Sequence, residues 1–99
     1  MNAIDFARVN MVALAVLPLL LARWLPGGRR EGREYVVRNP RRADRTAGSF
    51  RINIITGRWA DFATDDTGGD PISLAAYLFD LSQFEAARRL AAMLGIHER

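Results

Sequence analysis

The side chains able to do chemistry in this chain are arginines, a scatter of carboxylates and one glycine-rich turn. All fourteen basic side chains are Arg; Lys and Cys are absent, and His97 is the only His in 99 residues. Arg presents a rigid fork of donors suited to bidentate contact with phosphate or carboxylate, although a GC-rich genome yields the same bias. Nine of the fourteen fall between Arg29 and Arg58, where the only acids are Glu31, Glu34 and Asp44. From Trp59 onward seven acids face three Arg, so the middle of the chain is the candidate electrostatic footprint.

Catalysis has little to stand on. There is no thiol, no Ser has a His placed beside it, and His97 lies in a tail beyond the last expected helix. Gly68-Gly69 ahead of a helix offers backbone N–H groups to a phosphate, but the Asp70 carboxylate would cap those same donors and repel an anion. Asp65, Asp66 and Asp70 read better as turn and cap residues than as Mg²⁺ ligands. The chain is therefore read as a non-enzyme with no cofactor.

The elements that must position the arginines are short. Met11 to Ala22 is an apolar run of twelve residues. As a helix it would span about 18 Å, short of a bilayer core of about 30 Å. Asp5 beside Arg8 makes a poor signal-peptide start, and Arg23-Trp24 follows the run without a small-residue cleavage site. A buried helix over about 5–25 is expected, kinked or restarted at Pro18 and ended by Pro26-Gly27-Gly28. Being apolar all round, it needs covering, either by the hairpin or by a second copy of the chain, the second of which would make it a homodimer face. Arg29 to Arg33 read as a polar turn and Tyr35 to Val37 as a short strand, closed by Asn39-Pro40. Arg41 to Gly48 is a basic loop.

A hairpin follows. Phe50, Ile52 and Ile54 alternate with Arg51 and Asn53, the period of a half-buried strand, and Thr56-Gly57 turns it into the aromatic return strand Arg58 to Phe62. Arg51 and Asn53 share a face. Trp59 is placed either on the exposed side of the neighbouring strand, for base stacking, or in the core, with the arginines paired to Glu31, Glu34 and Asp44. After the loop Thr64 to Gly69, Asp70 and Pro71 open a helix over about 71–80. Ser82-Gln83-Phe84-Glu85 is a capping box opening a helix over about 82–95, with Phe84, Ala87, Leu90, Ala91 and Leu94 as its buried stripe and Gly95 as its stop.

Taken in order, Asn39-Pro40-Arg41-Arg42, Ser49-Phe50, Asp61-Phe62-Ala63-Thr64, Gly68-Gly69-Asp70, Ser82 and the run from Glu85 to Gly95 resemble the N-terminal zinc ribbon of bacterial, phage and plasmid DNA primases. The likeness covers about residues 30–96. In that family a Cys-Pro-x-His pair and a Cys-x-x-Cys pair hold zinc; here Asn39, Arg42, Asp61 and Thr64 stand at those four positions. Arg cannot deprotonate to ligate, and Asn and Thr are feeble zinc ligands, so no metal is expected. An Arg42–Asp61 clasp is expected where the metal would join the two knuckles. The long apolar first helix is a source of the folding energy the metal would otherwise supply.

The expected fold is α+β: a small three-stranded antiparallel sheet, zinc-ribbon-like and metal-free, packed by an N-terminal helix and two C-terminal helices. The chain is one domain, with a hairpin core over about 33–64. The absence of Cys fits a cytoplasmic protein, and the resemblance implies a module that binds nucleic acid, single-stranded DNA first. The residues expected to carry binding are Arg29, Arg30, Arg33, Arg38, Arg41, Arg42, Arg45, Arg51, Asn53, Arg58 and Trp59. The alternative is a small phage- or plasmid-type protein that uses the same surface to inhibit a host nucleic-acid-processing or CRISPR complex. No membrane partner is expected.

Overall fold

The computed structural model describes residues 4–41 and 48–96. The chain is α+β, with four helices and one five-stranded antiparallel sheet in the order β1-β2-β3-β4-β5. The strands are β1 (Arg29–Glu31), β2 (Glu34–Val37), β3 (Phe50–Asn53), β4 (Trp59–Asp61) and β5 (Asp66–Gly68). The expected three-stranded sheet is thus corrected by one strand at each edge. The turn-like arginines Arg29 and Arg30 form β1, pairing with Val36 and Tyr35. The expected loop after the hairpin folds back as β5, which pairs Thr67 with Ala60.

The N-terminal apolar segment is two helices, not one: α1 (Phe6–Ala15) and α2 (Leu17–Trp24), bent by 83°. Asp5 caps the first, its carboxylate accepting from the Arg8 amide at 3.0 Å. The break falls at Val16, and Pro18 sits in the first turn of α2, where its missing N–H costs nothing. No single described helix is long and apolar enough to cross a membrane; only the bent pair together has the length and composition. The covering that an all-round apolar helix needs comes from within the chain, since α1 lies against α3 (Pro71–Phe79) and α4 (Gln83–Met93). Leu19 and Met11 remain exposed on the outside of the pair.

One core joins both layers. Val9, Ala13, Leu17 and Leu21 meet Phe50, Ile52 and Trp59 from the sheet and Ile72, Leu74, Ala87 and Leu90 from the C-terminal helices. Asp70 and Ser73 form a reciprocal capping box on α3. On α4 the box is one-sided: Ser82 Oγ accepts from the Glu85 amide at 3.0 Å, while the Glu85 carboxylate turns to Arg88 and Arg89. Hydrogen bonds from Arg88 first and Arg89 second hold that carboxyl down to about 2. The stripe of α4 is Ala86, Ala87, Leu90 and Ala91; Phe84, expected inside, is exposed, and Leu94 is half-buried.

Candidate nucleic-acid interface

Strand register decides which side chains share the open face of the sheet. Arg51 stands opposite Val36 on one side and Ala60 on the other, and Ala60 stands opposite Thr67. Side chains alternate along a strand, so Asn53, Arg58 and Phe62 join that row's face, while Ile52 and Trp59 point into the core. Arg29, Glu31 and Glu34 lie on the same outer face through the pairing of β1 with β2. A cleft of about 370 Å³ opens there, lined by Glu34, Arg51, Asn53, Thr56, Arg58, Ala60, Phe62 and Thr67, with an edge of Trp59.

Trp59 takes the second of its two expected positions. It is 5% exposed, its indole N–H donates to Ser73 Oγ at 3.0 Å, and its ring lies 4.6 Å from that of Tyr77. Gly68 is required beside it: a Cβ there would overlap the indole and Ser73 Oγ. Trp59 is thus no stacking platform. The exposed aromatic on this face is Phe62, 67% exposed, which sequence reading left without a role.

The arginines scatter around the fold. Arg51 is clamped: Nε donates to Gly48 O at 3.1 Å, and Nη1 reaches Glu34 at 3.0 Å and Glu31 at 3.4 Å. Arg29 pairs with Glu31 at 2.6 Å. The hydrogen bond from Arg29, with help from Arg51, holds the Glu31 carboxyl below the usual carboxylate range, and the bond to Glu34 raises Arg51 further above its own. Arg30 donates to Gly32 O at 2.9 Å at the sheet edge, and Arg33 is exposed in the β1–β2 turn. Arg38 is exposed beyond β2. Arg41 lies away from the cleft, its guanidinium 5.5 Å from the Tyr77 ring centroid and 3.9 Å from Asp80. Arg58 is exposed at the rim of the cleft, and no described residue forms an ion pair with it. Arg42 and Arg45 lie outside the described residues.

Behind the sheet, two of the four positions that the resemblance aligns with metal ligands meet. Asn39 and Asp61 are 1% and 0% exposed. Asn39 Nδ2 donates to Asp61 Oδ2 at 2.9 Å and to the Tyr77 hydroxyl at 2.8 Å, and Asn39 Oδ1 accepts from the Arg41 amide at 2.8 Å. The Tyr77 hydroxyl in turn donates to Asp66 at 2.7 Å. Asp61 Oδ1 accepts from the Ala63 amide at 2.9 Å, and its carbonyl accepts from the amides of Thr64 and Asp65 at 3.2 and 2.8 Å. Thr64 itself is exposed, its hydroxyl oxygen accepting from the Asp66 amide at 3.3 Å. Asp61 is thus tied to the segment after β2 through Asn39; the expected partner Arg42 is not among the described residues. Burial, and the neighbouring Asp66 and Asp61 charges, push the Tyr77 phenol up, while the Asn39 hydrogen bond opposes this.

Among the described residues no group of three or more His, Cys, Asp or Glu is placed to hold a metal ion. Asp70 is committed to its cap on α3, its carboxylate accepting from the Ser73 amide at 2.8 Å. No protein-family model matches the chain, and no curated protein matches it.

Proposed function

We propose that this chain is a non-catalytic, metal-free module that binds single-stranded nucleic acid, DNA first, in the cytoplasm, as a relative of the template-binding zinc ribbon of DNA primases. The observation that carries the reading is the helix-free face of the sheet, where Arg29, Arg51 and Arg58 outnumber Glu31 and Glu34 and a cleft of about 370 Å³ opens beside Arg51 and Arg58. A cationic, open sheet face with an exposed ring suits a flexible strand whose phosphates and base faces are both accessible. The primase-like part of the reading is supported by positions 39 and 61, far apart in sequence yet hydrogen-bonded to each other where the resemblance sets two metal ligands.

The test is fluorescence anisotropy with a labelled single strand and a matched duplex, at low and at physiological salt. The single strand is expected to bind more tightly, and Arg58→Ala to weaken it. No binding to either nucleic acid at low salt refutes the reading. A second reading, a protein that inhibits a nucleic-acid-processing or CRISPR complex, is favoured by the apolar groove between α2, α3 and α4, lined by Trp24, Phe79, Leu81, Leu90 and Met93. Under that reading naked strands leave the anisotropy unchanged.

A further inference from the structure

We propose that Phe62, with Ala60 as its floor and Arg58 at the far end, forms a base-stacking subsite for one or two nucleotides, and that stacking rather than phosphate neutralisation supplies most of the affinity. The proposal rests on the nucleic-acid reading above and names the residues and the balance of forces within it.

Three observations lead there. First, Phe62 is a large ring left 67% exposed beside a sheet whose other aromatics turn to the core: Phe50 and Trp59 are buried, and Tyr35 is half-buried with its hydroxyl donating to Leu25 O at 2.6 Å. Its backbone is held on both sides: its amide donates to Ser49 O at 2.9 Å, and the next amide donates to the buried Asp61 carboxylate. A ring on a fixed backbone loses little freedom when a base lies on it.

Second, the residue between Phe62 and Arg58 on this face is Ala60, the smallest side chain in its row, flanked by Arg51 and Thr67. Arg58 stands four residues from Phe62, about 13 Å along an extended strand. That distance and the cleft volume of about 370 Å³ accommodate a nucleotide or two, with a base on Phe62 and a phosphate at Arg58. Asn53 adds a donor, because its Oδ1 is spent on the amides of Ile55 and Thr56 at 2.8 and 3.0 Å, leaving Nδ2 for the ligand.

Third, most of the positive charge on this face is already used. Arg51 is held by Glu34 and Glu31, and Arg29 by Glu31. Among the described residues of this face Arg58 is then the principal cation open to phosphate, so only about one or two counterions are released there on binding, a salt slope of roughly −1 on logarithmic axes. Stacking on an aromatic side chain contributes roughly five- to 150-fold per base, which exceeds what one exposed guanidinium supplies.

The experiment compares the full chain with Phe62→Ala and Ala60→Leu, against a labelled oligothymidylate and an abasic strand of equal length, across a salt series. Because Phe62 is exposed, Phe62→Ala is expected to keep the wild-type urea midpoint; Ala60→Leu fills the cleft without removing a ring or a charge. The wild type is expected to bind the abasic strand about tenfold or more weakly, with a shallow salt slope. Both variants are expected to lose about as much on oligothymidylate and to lose the preference between the strands, while Phe62→Trp binds at least as well as wild type. Equal binding of both strands by the wild type, an unaltered Phe62→Ala and a steep slope would identify a phosphate binder and overturn the subsite while leaving the nucleic-acid reading standing. Binding of neither strand at low salt overturns the nucleic-acid reading, and the subsite with it.

Discussion

Replacing Asn39 by Ala tests the hydrogen-bonded clasp between positions 39 and 61, which the resemblance aligns with two metal ligands. The Asn39 amide group donates to a buried carboxylate at 2.9 Å and to the Tyr77 hydroxyl at 2.8 Å. A hydrogen bond to a charged group contributes about 1.5–3 kcal/mol and a neutral one about 0.5–1.5 kcal/mol. The third contact, from the Arg41 amide to Asn39 Oδ1, is only part-buried, and water can replace it. The expected loss is therefore about 2–4 kcal/mol, which for a domain of this size lowers Tm by roughly 10–25 °C. Urea unfolding followed by tryptophan fluorescence reads it directly, because Trp59 lies against Tyr77 in the same cluster. The midpoint is expected to fall with the slope m unchanged. In a double-mutant cycle, Asn39→Ala and Tyr77→Phe are expected to couple by about 1 kcal/mol. A loss below about 1 kcal/mol, or no coupling, would refute the clasp.

Three further outcomes follow from the same geometry. The Tyr77 phenol is raised in the folded protein, so its contribution to stability is full below the unfolded value of about 10 and is lost as pH rises through the folded value; ultraviolet difference titration is expected to show its phenolate forming at a higher pH than that of a free tyrosine, and ionisation at the ordinary value would contradict the buried network. Glu34→Gln removes one carboxylate from Arg51 Nη1, and about 1 kcal/mol of released charge attraction is expected to tighten single-strand binding roughly fivefold by anisotropy. A variant carrying Cys at positions 39, 61 and 64 and His at 42 is expected to take up one zinc ion by colorimetric release, because positions 39 and 61 already meet; failure to bind metal would count against the resemblance to the primase ribbon.

What could be read from the sequence was what local periodicity and capping encode. The bounds of α3 and α4 follow from Asp70, Pro71 and Ser82, and the break in the N-terminal helix follows from Pro18. The alternation of Phe50 and Ile52 with Arg51 and Asn53 identifies β3 and its inner face. The two edge strands were not legible. Arg29–Glu31 is exposed along its whole length and carries no alternation, and Asp66–Gly68 is polar and poor in strand-forming residues, so tertiary pairing alone makes them strands.

The same limit governs the site. In Trp59-Ala60-Asp61-Phe62 either parity places one aromatic outward, and only the pairing of Ile52 with Trp59 turns the indole inward and Phe62 out. Phe84 illustrates the converse. It fits the helical period, but the α4 stripe is already filled by Ala86, Ala87, Leu90 and Ala91, which leaves its ring in solvent. Nor does net charge reveal pairing: Arg29 and Arg51 count fully in the basic stretch, yet Arg29 pairs with Glu31 two residues along its own strand, and cross-strand register sets Arg51 against Glu34.

The most direct test of the account is a nitrogen–proton correlation spectrum of the protein titrated with a short single strand. The account predicts that the amides of Arg51, Asn53, Arg58, Ala60, Phe62 and Thr67 shift together and saturate, while those of α3 and α4 hold still. Shifts confined to the groove between α2, α3 and α4, or no shift at saturating strand, would contradict it.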